Sequence, residues 1–264
     1  MTERSNLTVA RAVREGFARA VSAPALLFGL FAVARLLDVP SANLSLFSEG
    51  TRAVIVWLLF WSFAYGGAID RLARGRPTRA YGFFAACGGH LMPLARLAVL
   101  AIAAEAAFLP IARATASTDV GAAGVAVVLI LASAVLGFAR IRLVVEDRRS
   151  AVGTVAASIR FLRRNPSGLG IWIVFALAGY GLDSLYGSLV PSSAVATSSD
   201  LRVRAPQEAF LAIHLWLKLS AYAAGIALFQ SRLAHAGYTA APPAVWPESA
   251  SAEAIANAAP YTAR

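Results

Sequence analysis

ARIRLVVEDRRSAVGTVAASIRFLRRNPSG, residues 139–168, lies between two apolar runs and holds seven arginines, Arg140, Arg142, Arg148, Arg149, Arg160, Arg163 and Arg164, against two acids, Glu146 and Asp147. The flanking runs are long enough to cross a bilayer, and basic residues are retained on the cytoplasmic side, so the stretch reads as a cytoplasmic loop of a multi-span membrane protein. Composition points the same way. Of 264 residues 58% are hydrophobic and 14% charged, with a mean hydropathy of +0.64, too apolar for a soluble domain of this length. The net charge of +10 would suggest nucleic acid in a soluble protein. Here the arginines stand at the ends of apolar runs, where topology and lipid headgroups account for them, and no nucleic-acid partner is expected.

Six spans follow, over residues 23–37, 53–69, 94–111, 121–143, 169–189 and 209–233, and the fold class is an all-α integral membrane bundle. The second is rich in aromatics, Trp57, Phe60, Trp61, Phe63 and Tyr65, which suit interface anchoring and helix packing. Residues 40–51, 112–120 and 191–207 are outer loops, and 70–96 is the first cytoplasmic loop, with a turn at Arg74-Gly75-Arg76-Pro77-Thr78 and a cap at Thr78. With these boundaries 18 arginines fall inside and 5 outside, and Lys218 lies within the membrane. Both termini are therefore expected in the cytoplasm of a bacterial cell, at its inner membrane. Residues 1–237 form a single transmembrane domain, and the Pro- and Ala-rich tail 238–264 is expected to be disordered. Cys87, the one cysteine, excludes an intramolecular disulfide and reads as a small buried hydrophobe.

Before the first span, residues 6–21 make an amphipathic segment, with Val9, Val13, Phe17, Ala20 and Val21 on one face and Arg11, Arg14 and Glu15 opposite. It is expected to lie along the inner membrane surface. A signal peptide is the competing reading, opposed by Glu3, Glu15 and the lack of a clear cleavage site. Similar arginine-flanked segments, 78–92 and 150–164, precede the third and fifth spans, giving an elbow plus a helical hairpin at a spacing of roughly 70 residues. Three such units would make a repeat, and a shared need for interfacial anchors would look the same. In the third elbow Val152, Val155, Ala156, Ile159 and Leu162 form the apolar stripe, with Phe161 off it.

At GGAIDRLARGRP (66–77), AYGFFAACGGHLMPLARL (80–97) and the loop from Arg140 to Pro166, the chain resembles uncharacterised bacterial six-span membrane proteins, and is similar to the membrane domain of some glycerophosphodiester phosphodiesterases. The shared pattern is a span ending in small and basic residues, a Val-x-Glu-Asp type turn, an amphipathic segment and an Asn-Pro break, covering roughly residues 50–190. The resemblance implies architecture. It carries over no catalytic residue.

No metal, nucleophile or phosphate-binding signature occurs, and His90, His214 and His235 are too dispersed to argue for a metal, so the chain is expected to be no enzyme and to need no cofactor. Two sets of residues remain. Arg148, Arg149, Arg160, Arg163 and Arg164 would form a face for anionic membrane lipid, or for an acidic protein partner in the membrane or cytoplasm; the plainer reading is a topology signal. Glu105, Lys218, Asp183 and His214 would form an intramembrane polar seam, Glu105 pairing with Lys218 and Asp183 with His214, because similar depths bring them level. The plainer reading there is isolated packing bonds. Ser133 with Gly137, and Ala221 with Gly225, are helix contacts at small residues. The preferred function is a non-enzymatic scaffold or accessory protein acting through the arginine face. The alternative is a small transporter or permease using the intramembrane polar residues.

Overall fold

The computed structural model describes residues 8–37, 49–75, 80–189 and 201–232. The expected tail 238–264, the Thr78 cap and most of the outer loops 40–51 and 191–207 lie outside the described residues. Eight helices carry the described chain: α1 (Val9–Val21), α2 (Pro24–Leu37), α3 (Glu49–Arg74), α4 (Ala80–Thr115), α5 (Asp119–Val145), α6 (Ala151–Arg164), α7 (Ser167–Leu189) and α8 (Leu201–Arg232). No strand occurs among the described residues. Helices α4, α5 and α7, and residues 205–232 of α8, are long and apolar enough to cross a membrane. The pair α1 and α2, bent by 73° at its break, would add a fifth as one broken span. Alone, the 14 residues of α2 fall short of the roughly 20 a spanning helix needs.

The bundle is organised around α8, which packs against α1, α2, α3, α5 and α7. Its run of Ala223, Ala224, Ile226, Leu228 and Phe229 is fully buried. One core joins residues of all eight helices, among them Ala12, Leu26, Ile69, Leu97, Phe138, Phe161, Ile171 and Leu219.

Helix α1 begins at an N-cap, Thr8, and sits on α8 and α7 through Ala12, Gly16 and Ala20, which are buried, with Val9, Val13 and Phe17 partly buried beside them. Val21, expected on the apolar face, is 64% exposed. The buried face is therefore a stripe of small residues at a spacing of four, a surface that seeks another helix backbone more than a lipid headgroup layer. A Cβ built on Gly16 would come 2.6 Å from the Ser220 carbonyl oxygen, so this crossing admits only hydrogen. From α1, Arg19 donates to the Leu72 carbonyl and to Gln230 Oε1, while Gln230 donates to the Ala73 carbonyl at 3.0 Å. The open carbonyls at the end of α3 are thus satisfied by α1 and α8, and Gly75 closes that helix with φ +65°.

The second expected elbow, 78–92, is not a separate helix; α4 runs unbroken for 36 residues through both Pro93 and Pro110. Packing on α3 overrides the local breakers. A Cβ on Gly67 would come 2.5 Å from Cys87 Sγ and 2.6 Å from the Phe83 ring, so the glycines of α3 let α4 approach closely enough to bury Cys87 completely.

Candidate functional site

The arginine face is built from the end of α5 upward. Helix α5 stops in a Schellman arrangement: Glu146 is the C-cap, Asp147 takes φ 49°, and the Arg148 amide donates to the Leu143 carbonyl at 3.1 Å. Aspartate tolerates the left-handed region better than most side chains, which gives the Val-x-Glu-Asp turn a backbone reason. Its glutamate has a second one. Arg142, buried at 9% exposure, forks onto Glu146 with Nε and Nη2 at 3.1 and 3.0 Å, and donates Nη1 to the Ala157 carbonyl of α6 at 2.8 Å. Its guanidinium also lies 5.5 Å from the Phe229 ring centroid, and Glu146 takes Arg148 as a further partner. A buried fork therefore fixes α6 to the end of α5.

Helix α6, capped by Ser150, turns a different face inward from the one its hydrophobicity suggests. Ala151, Thr154, Ala157, Ser158, Phe161 and Leu162 are buried, while Val152 and Ile159 are 67% and 44% exposed. Phe161, assigned off the stripe, is core and meets Phe138 and Phe229 at 5.1 and 5.3 Å between ring centroids. Thr154 and Ser158 can enter because each hydroxyl donates to the carbonyl four residues back, at 2.6 and 2.8 Å. Arg148, Arg149, Arg160, Arg163 and Arg164 are all exposed, interleaved with Val152 and Ile159.

The polar seam does not form as expected. Glu105 is exposed on α4, which packs on α3, α5 and α6. Among the described residues Glu105 and Lys218 make no ion pair. Lys218 instead places its ammonium 4.4 Å from the Trp61 ring centroid and 5.6 Å from that of Tyr65, both on α3. Asp183 and His214 do meet, Oδ1 to Nδ1 at 3.9 Å, where α7 packs on α8. Both are about half exposed, beside the stacked rings of Tyr186 and Phe210 at 4.3 Å. One turn apart on α8, His214 faces α7 and Lys218 faces α3, so the two contacts belong to different helix interfaces.

Arg140, at the end of the fourth expected span, turns toward the bundle and is only partly exposed. Arg140 donates Nη1 to the Tyr222 hydroxyl at 2.8 Å and stacks its guanidinium 4.8 Å from the Tyr65 ring centroid. Tyr65 and Tyr222 lie 5.1 Å apart, and Trp172 meets Tyr222 edge-on at 5.7 Å. Two cations thus share one aromatic nest formed by α3, α5, α7 and α8. A cavity of about 10 Å³ lies beside it, lined by Leu30, Ala64, Leu215, Lys218 and Tyr222 among others. The sequence signal was present: Arg140 falls three residues after Gly137, inside an apolar run that continues to Val145. No group of three or more metal-ligating side chains occurs among the described residues.

No family model, curated protein or solved structure matches this chain.

Proposed function

We propose that the chain is a six-span, multi-pass protein of the bacterial inner membrane with both termini cytoplasmic, and that it acts as a non-enzymatic scaffold or accessory protein through its arginine-rich face. The observation that carries this reading is the exposure of Arg148 and Arg149 in the turn before α6 and of Arg160, Arg163 and Arg164 on α6, whose opposite side is locked to the bundle by the Arg142 fork. Exposed Val152 and Ile159 between the arginines favour a partner with both charge and an apolar layer, which is anionic lipid. The resemblance to membrane domains that accompany phosphodiesterases fits an accessory role. Duplication is best supported for α1 with α2 and for α6 with α7, where a distinct amphipathic helix precedes the next helix at a short break.

Replacing Arg160, Arg163 and Arg164 with glutamine together is expected to weaken binding of the detergent-purified protein to phosphatidylglycerol by up to about 100-fold, since each basic residue near such a surface contributes about 1 kcal/mol. Glutamine at Arg202 and Arg204 should change it far less. Equal losses from the two sets would reduce the face to a topology signal.

Orientation has its own test. In a Cys87→Ser background, a single cysteine at Ser117, in the turn between α4 and α5, is expected to react with an impermeant thiol reagent added to intact cells, and one at Ser150 is not. Labelling at Ser150 would invert the topology and remove the cytoplasmic face.

A second reading, a small transporter or permease, rests on the interior pair Arg140 and Lys218 in place of Glu105, because charges inside a bundle mark polar paths.

A further inference from the structure

We propose that the outer half of the hairpin of α4 and α5 docks a spanning helix of another membrane protein, one that carries a lysine or arginine near its middle to meet the Glu105 carboxylate. The first observation is exposure. Ala101 on α4 and Ala134 on α5 are buried, yet no residue between them, 102–133, is. Both helices are long and apolar enough to cross a membrane, so on the six-span reading this arm stands in the bilayer without cover from the rest of the bundle. The proposal rests on α4 being a span, and not on the arginine face.

The second observation is charge. Glu105 is exposed ten residues before Thr115, where α4 ends, which at about 1.5 Å per residue puts it about 15 Å in, near the middle of a hydrocarbon layer about 30 Å thick. Among the described residues it makes no hydrogen bond and no ion pair. Arg140 acts on it only as a distant charge and is held by Tyr222 and Tyr65, while the Lys218 ammonium lies over Trp61. A carboxylate at that depth is costly unless a complementary group covers it. Acyl chains bring no counter-charge and headgroup cations stay at the interface, so the complement arrives on a polypeptide whose own backbone is satisfied, which in a bilayer means a helix. The third observation is fit. Ala103, Ala104, Ala106 and Ala107 flank Glu105, and side chains this small let a second helix backbone come close. A second copy of this chain would instead set like charge against like at this point.

The test uses the full chain in lipid vesicles, with Cys87→Ser and a donor dye on a cysteine at Ser117, in the turn between α4 and α5. The probe is a synthetic spanning helix of leucine and alanine with one central lysine and an acceptor dye at one end. Energy transfer is expected to rise and saturate with added peptide, and to need about tenfold more of a peptide with methionine in place of the lysine. Glu105→Gln should abolish that preference and Glu105→Asp should keep it. Thermal unfolding of both variants should stay within about 2 °C of the starting protein, because no bond inside the chain is lost. Equal transfer to the two peptides, or a lysine preference that survives Glu105→Gln, would overturn the surface. Transfer between donor- and acceptor-labelled copies of the chain alone, removed by Glu105→Gln, would overturn it too, by assigning the face to self-association. Labelling at Ser117 in intact cells tests the span by itself, which separates a failed topology from a failed docking surface.

Discussion

Glu146→Ala is expected to destabilise the folded protein by about 3–5 kcal/mol, because it leaves the buried Arg142 guanidinium without its carboxylate. The Glu146 side chain is only 4% exposed, so water cannot take over its place without opening the junction between α5 and α6. What remains for Arg142 is one carbonyl, Ala157, and the face of Phe229. The double variant Arg142→Met with Glu146→Leu should recover most of the loss, since an apolar pair of similar volume removes both the charge and its desolvation cost. Denaturant titration in detergent micelles reads both. A loss under about 1 kcal/mol for Glu146→Ala would show that the fork is already hydrated and is not what holds α6 in place.

The second large effect is at the crossing of α1 and α8, where Gly16→Ala should cost about 1–3 kcal/mol although alanine is the better helix former. The added methyl meets the Ser220 carbonyl oxygen at 2.6 Å and the Ala224 backbone nitrogen at 2.7 Å, and backbone atoms can yield only if one helix moves. Gly29→Ala on α2 is the control, since a Cβ there meets nothing within 4 Å and helix propensity alone should give a gain of up to about 1 kcal/mol. Opposite signs in thermal unfolding identify close approach as the cause. Two gains would mean that α1 is not seated on α8.

The helices were largely legible from hydropathy, because length and apolarity are what a bilayer selects; α5 and α7 match the expected spans within two residues at each end. Which face a helix turns inward was less legible. On α6 the rule that apolar residues face the core picked Val152 and Ile159, yet the bundle receives Thr154 and Ser158, whose hydroxyls are satisfied within their own helix. In a membrane protein an outward apolar residue has lipid to meet, so hydrophobicity alone does not point inward. The Glu105 to Lys218 pairing failed for another reason. Equal depth is necessary for contact and not sufficient, and the order of helices around α8, which no single sequence displays, put α3 aromatics beside the lysine. Arg140 was missed because counting charges for topology treats every arginine near a span end as solvated, whereas Tyr65 and Tyr222 form a place for this one inside.

The clasp of Arg19 and Gln230 on the end of α3 joins residues 211 positions apart. A chain made from its N-terminus therefore carries α1 through the synthesis of α2 to α7 before α8, its main seat, exists. Until then Gly16 lacks the α8 backbone it lies against, and the last carbonyls of α3 lack Gln230. Formation of α8 is therefore the step that seats α1, and pairings so far apart in sequence carry a larger loop-closure cost than a bundle of nearest-neighbour hairpins.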